Sequence, residues 1–192
     1  EFKRMLVRKY LLDNPNATTL DCSNDNHGEI GQNEVLYIVN FLKEKDTILQ
    51  RLSLQNCQIS NLGMKLLANA LIVNKSLKKL DVSNNNIGNQ GLKVLIDALE
   101  ENQTITNLNL NDNKPITYTG IDALVNFSIT NTSLAHLYVN KTDFIETFSD
   151  IKKKFETSDV VDFSNRSITN AKSSMIASIL MHNKTVTKLN LS

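Results

Sequence analysis

The chain has 192 residues, 41% hydrophobic and 21% charged, and its 21 Lys and Arg against 20 Asp and Glu leave a net charge of +1. That composition suits one folded domain with a sizeable core and supplies no global attraction for nucleic acid or anionic lipid. Apolar runs are broken every few residues by Asn, Lys or Asp, short of the roughly 18 apolar residues of a membrane span, and the two cysteines, Cys22 and Cys57, lie in no disulfide framework or zinc spacing.

From the N-terminus, the first expected element is a helix. Asn14 aligns with Asn102 and Leu11 with Leu99 of a later segment, so residues 1–16 read as the helical half of a preceding unit or as a capping helix. A strand motif follows around Leu20. The polar stretch Ser23 to Gly28 then reads as a solvated turn, because Asp25 and His27 alone are too few ligands for a metal. A second strand motif centres on Leu52, followed by the helical stretch Gly63 to Leu71. The next two units define the grammar: Leu77-Lys-Lys-Leu80-Asp-Val82-Ser-Asn-Asn85 and Ile105-Thr-Asn-Leu108-Asn-Leu110-Asn-Asp-Asn113 coincide through LxxLxLxxN. Between them, Leu92, Leu95 and Leu99 recur at the i, i+3, i+7 spacing of a buried helix stripe.

Further along, Leu137, Val161 and Leu189 continue the series of strand markers. The unit between Leu137 and Val161 is the shortest, and its Phe144, Phe148, Ile151 and Phe155 fit one helical face that fills the space, with Lys152, Lys153 and Lys154 on the solvated side. The sequence stops inside a strand motif at Leu189 to Ser192, so the chain is read as truncated within a repeat.

Seven motifs in register resemble the leucine-rich repeat family, and the period of 28 to 29 residues with a full helix per unit is similar to its ribonuclease-inhibitor-like class. The resemblance spans essentially the whole chain. It implies an α/β fold: one domain over residues 1–192, a right-handed solenoid of about six to seven repeats in a horseshoe arc. Parallel strands stack about 4.8 Å apart whereas helix axes need roughly 8–10 Å, so strands lie on the concave face and helices on the convex one. Leu80, Val82, Ile87, Leu92, Leu95 and Leu99 are expected in the core. Asn85 and Asn113 are expected as a structural ladder where the chain leaves the strand, with Cys57 as a small buried substitute; Asp25, Thr142 and Arg166 stand at the equivalent places elsewhere, and Arg166 demands local rearrangement. Asn74, Asn102, Asn131 and Asn183 close the helices and are expected in the left-handed conformation. The Asn-x-Ser/Thr sequons there read as repeat grammar rather than glycosylation sites.

Alternation along each strand turns Lys79, Asp81 and Ser83 toward the hollow. The column after the markers is Asp21, Ser53, Asp81, Asn109, Tyr138, Asp162 and Asn190; the column before is Thr19, Arg51, Lys79, Asn107, His136, Val160 and Lys188. This polar face, mixed in sign, suits a protein partner. Arg51, Lys79, Asp81, Asn107, Asn109, His136, Tyr138 and Asp162 are the candidate contacts, with Tyr138, His136 and Arg51 as anchors. The three histidines fall in different units, and there is neither a nucleophile elbow nor a phosphate loop. The expectation is therefore a monomeric, cytoplasmic, noncatalytic module without cofactor or metal, binding another protein and neither nucleic acid nor membrane. The resemblance also allows a GTPase-activating protein of the Ran type or the ligand-sensing arm of an immune-type receptor. The 26 Asn add a third alternative, a secreted bacterial effector acting in host cytosol, since they hint at an AT-rich genome.

Overall fold

A strand that buries every second residue against helices needs only a short ladder, and each repeat supplies one of three residues. The computed structural model describes residues 2–23, 32–44, 46–139, 156–157, 160–162, 173, 176–177, 180–181 and 183–190. Within them the chain alternates helix and strand: α1 (Phe2–Asp13), β1 (Thr19–Asp21), α2 (Gln32–Lys43), β2 (Arg51–Ser53), α3 (Asn61–Val73), β3 (Lys79–Asp81), α4 (Asn89–Glu101), β4 (Asn107–Asn109), α5 (Tyr118–Thr130), β5 (His136–Tyr138), β6 (Val160–Asp162) and β7 (Lys188–Asn190). The stretches holding Asp25, His27, Thr142, Phe144, Phe148, Ile151, Lys152 to Phe155, Arg166 and His182 lie outside the described residues.

Strands β1 to β5 form one parallel sheet in chain order. Its register pairs Leu20 with Leu52, Leu52 with Leu80, Leu80 with Leu108 and Leu108 with Leu137, so the repeat markers are the paired central residues. The expected row of seven strands is described as this sheet of five and a separate parallel pair, β6 and β7, in which Val161 faces Leu189. Among the described residues no ladder joins β5 to β6, and the shortest unit of the sequence falls between them. Helices α1 to α5 pack one against the next. Neighbouring helices need more room than neighbouring strands, so the layered stack bends toward its strands.

The core lies between the two layers. Leu80, Val82, Ile87, Leu92, Leu95 and Leu99 are buried, as are Leu52, Leu67, Leu71, Leu108 and Leu137 in neighbouring units. Each such side chain contributes about 1.5–3 kcal/mol when withdrawn from water. No helix of the described residues is long and apolar enough to cross a membrane.

Three rows of asparagines close the polar gaps between units. In the strand-exit row, Asn85 accepts hydrogen bonds from the backbone N–H of Cys57 (3.0 Å) and Ile59 (2.9 Å) through Oδ1 and donates from Nδ2 to the carbonyl of Leu54 (2.8 Å). One repeat later, Asn113 accepts from Ile87 N–H (3.1 Å) and donates to Val82 O (2.9 Å). Cys57, at the same phase, is a buried thiol whose Sγ lies 3.1 Å from the carbonyl of Cys22.

The helix-exit row departs from expectation. Asn74, Asn102 and Asn131 are extended, with φ of −73°, −93° and −75°, rather than left-handed. The reason is their side chains. Asn102 is fully buried; its Oδ1 accepts from Thr104 N–H (2.9 Å) and Ile105 N–H (3.0 Å), and its Nδ2 donates to Leu71 O (2.7 Å) and Asn74 O (2.9 Å). The chain is turned by a side chain, not by a left-handed residue. Left-handed backbone occurs instead at Asn56, Gln58, Asn84 and Asp112, three of which stand four residues after a marker. The sequon hydroxyls belong to the same device, since Ser76, Thr104, Ser133 and Thr185 each hydrogen-bond the asparagine two residues before them.

A third row sits at the helix starts. Ser60, Gly88 and Thr117, the residues before α3, α4 and α5, make no side-chain cap of their own helix. For α4 and α5 the preceding repeat supplies it: Asn61 Oδ1 accepts from Gly88 N–H (2.7 Å) and Gly91 N–H (3.0 Å), and Asn89 Oδ1 accepts from Thr117 N–H (2.9 Å). These oxygens satisfy N–H groups that a helix's first turn leaves without partners. The close approach requires glycine: a Cβ on Gly91 would stand 2.7 Å from Asn61 Oδ1, and one on Gly120 would clash with Asn89 Oδ1.

Candidate functional site: the hollow face of the sheet

In each strand the marker points into the core and its two neighbours point into the hollow. The burial pattern records this, exposed–buried–intermediate in β2, β3 and β5. Because the sheet register is exact across five strands, like positions line up as two rows. The first holds Thr19, Arg51, Lys79, Asn107 and His136, and the second Asp21, Ser53, Asp81, Asn109 and Tyr138. Asp162 sits at the second-row position of β6 beside Asn190 of β7. Ser83, expected on the hollow face, is instead buried, because its N–H (2.9 Å) and its hydroxyl (2.6 Å) both donate to Asp81.

The two rows differ in charge and in commitment. Asp81 is occupied within the fold: beyond Ser83, its Oδ2 accepts from Asn109 Nδ2 (2.8 Å). Asp21 accepts from Ser23 N–H (2.9 Å), and that bond, helped by the hydroxyls of Ser23 and Ser53, holds its carboxyl below the usual carboxylate range against the opposing effect of burial. Arg51 and Lys79, in contrast, are exposed cations that make no ion pair; the one salt bridge among the described residues joins Lys93 to Asp97. On β5, the rings of His136 and Tyr138 lie 6.5 Å apart at 18° to one another, forming an aromatic wall.

Together these residues border an open hollow of about 560 Å³ that runs from Thr19 on β1 to Tyr138 on β5. It touches Arg51, Lys79, Asp81, Asn107 and Asn109, while His136 is not among its lining residues. Among the described residues no group of three or more His, Cys, Asp or Glu could hold a metal ion. Sequence reasoning assigned the two rows but missed Asn61 and Asn89, although both stand nine residues after a marker and so share one phase.

A solenoid of parallel strands and helices with an open polar face belongs to a class built from stacked repeats. Residues 45–68, 73–95 and 101–125 each match the family model described as Leucine Rich repeat, so this stretch of the chain is built of leucine-rich repeats. Many solved structures share its fold. The leiomodin-1 actin-binding site 2 (ABS2) superposes with a TM-score of 0.63 at 18% identity, covering 92% of this chain and 90% of that one. The tropomodulin C-terminal domain from Caenorhabditis elegans superposes with a TM-score of 0.56 at 13% identity, covering 92% of both chains. No curated protein matches the sequence significantly.

Proposed function

We propose that the chain is a noncatalytic protein-interaction module that receives its partner in the hollow of the sheet. The observation that carries the reading is the open hollow of about 560 Å³ bordered by Arg51 and Lys79, whose charges make no ion pair among the described residues. Charged side chains that do no structural work on a rigid concave surface are available to a partner. The repeat period and the full helices α3 to α5 support a ribonuclease-inhibitor-like class for the repeats, and the module is monomeric and cytoplasmic on this reading.

The name of one structural neighbour includes an actin-binding site, which makes actin the first partner to test. The chain is titrated with monomeric actin and co-sedimented with filaments, in parallel with the variant R51A/H136A/Y138A. Binding is expected for the parent chain and lost in the variant, with closely similar thermal midpoints. An affinity capture from cell extract extends the comparison to other partners. Recovery of the same proteins in the same amounts by parent and variant overturns the concave-face reading.

A further inference from the structure

Within the hollow, the first-row cations stand in an arrangement that the fold alone does not favour. Arg51 and Lys79 are register partners on adjacent strands, both exposed and both on the same face. Paired strands lie about 4.8 Å apart, and like charges directly opposite one another destabilise a sheet. Counterions are close in sequence but engaged elsewhere. Asp81 is two residues along the strand from Lys79, yet its carboxylate accepts from Ser83 and from Asn109. On the hollow face, Asp21 and Asp81 are thus hydrogen-bonded while Arg51 and Lys79 make no ion pair among the described residues.

We infer that the row Arg51–Lys79 is the docking line for an acidic segment of the partner protein, whose carboxylates supply the counter-charge that the fold withholds. The inference rests on the concave-face reading and names the chemistry of the partner's edge. His136, two strands beyond Lys79 in the same row, adds a donor to the line, and Tyr138 beside it bounds the hollow at that end.

The second row decides which kind of anion fits. Asp21 and Asp81 lie two residues along their strands from the first row, a step of roughly 6.6–6.8 Å. That is within a Debye length of about 8 Å at physiological salt. A nucleic acid, with phosphates along both edges of its backbone, brings part of its charge over these carboxylates. A protein segment that carries acids on one edge and amides or basic groups on the other meets both rows with the right sign.

The test uses the full chain and three probes: a short peptide of alternating glutamate and asparagine, its lysine-for-glutamate counterpart and a short single-stranded oligothymidylate, each titrated by NMR at low ionic strength. The glutamate peptide is expected to move the amides of β2 and β3, to bind more tightly than either other probe and to weaken as salt is added. R51E/K79E is expected to weaken it by at least about tenfold. R51Q/K79Q, which removes the charges without setting carboxylates side by side, weakens it too and guards against a folding defect. Equal affinity for the glutamate and lysine peptides, tighter binding of the oligonucleotide, or indifference to both variants overturns the inference. Should the glutamate peptide fail while R51A/H136A/Y138A still loses the protein partner, the acidic-segment inference falls and the concave-face reading stands.

Discussion

Replacing Asn102 by alanine removes an amide that serves four backbone groups at once. Three of these, the carbonyls of Leu71 and Asn74 and the N–H of Ile105, are reached through buried bonds of 2.7, 2.9 and 3.0 Å; the fourth, Thr104 N–H, is part-buried. A buried polar group left without a partner costs about 1–3 kcal/mol. Relaxation around one site keeps such terms from adding fully, so the expected loss is about 3–4 kcal/mol. For a chain of this length each kcal/mol moves the thermal midpoint by about 2–4 °C, giving a drop of roughly 6–16 °C. Urea unfolding with an unchanged slope and a lowered midpoint measures it, with Gln103→Ala as control: Gln103 is exposed and its amide reaches only Glu100 O, so its loss stays within about 0.5 kcal/mol. Faster hydrogen exchange at the Ile105 amide gives an independent local reading. A loss below about 1 kcal/mol for Asn102→Ala would show that water or a shifted backbone replaces the amide, and the helix-exit row would then not be what closes the repeats.

Gly91→Ala sets a methyl 2.7 Å from Asn61 Oδ1 and 3.1 Å from its Cα, so it should cost about 1–3 kcal/mol despite alanine's higher helix propensity; a rise in stability refutes the close packing of α3 on α4. Asp21 has a folded-state pKa below its ordinary 3.8, so its contribution is present above that value and is lost as pH falls through the folded one. Asp21→Asn should therefore lie below the parent in thermal midpoint near neutrality and converge with it in acid; a constant gap argues against the Ser23 bond as the cause. Tyr138→Ala should weaken partner binding by at least about 1 kcal/mol with little change in midpoint, and equal affinity removes Tyr138 from the contact surface.

The strand half of each repeat was legible because its signal is binary: Leu80, Val82, Leu108 and Leu110 alternate with polar residues, and alternation fixes which side chains enter the core. The markers became register partners for the same reason, since a slip of one residue would turn every leucine outward. The asparagines were harder to read. Position alone suggested helix-ending residues in the left-handed region, but a side-chain amide that bonds two N–H groups ahead and two carbonyls of the previous unit makes that conformation unnecessary. Ser83 keeps the alternation phase of the hollow face but is buried, because its hydroxyl is drawn back onto Asp81. Part of the high Asn count has a structural cause in these rows: Asn61, Asn74, Asn85, Asn89, Asn102, Asn113, Asn131 and Asn183 all carry hydrogen bonds within them, which weakens composition as a clue to source.

The three rows also bear on how the face can work. Strand-exit and helix-exit asparagines reach back to the preceding unit, as Asn85 does to Leu54 and Asn102 to Leu71, whereas helix-start asparagines reach forward, as Asn61 does to Gly88. The junctions between the β2 and β3 units and between the β3 and β4 units are therefore crossed by polar bonds in both directions as well as by the apolar core. Opening one junction exposes leucines to water and leaves several backbone groups unsatisfied, a combined cost that couples neighbouring repeats strongly. Bending the sheet would break the same bonds, so the spacing between Arg51 and Lys79 is held by the stack rather than by the two side chains. A partner that meets these cations gains their charge without first ordering the backbone that carries them, which is how preorganisation raises affinity.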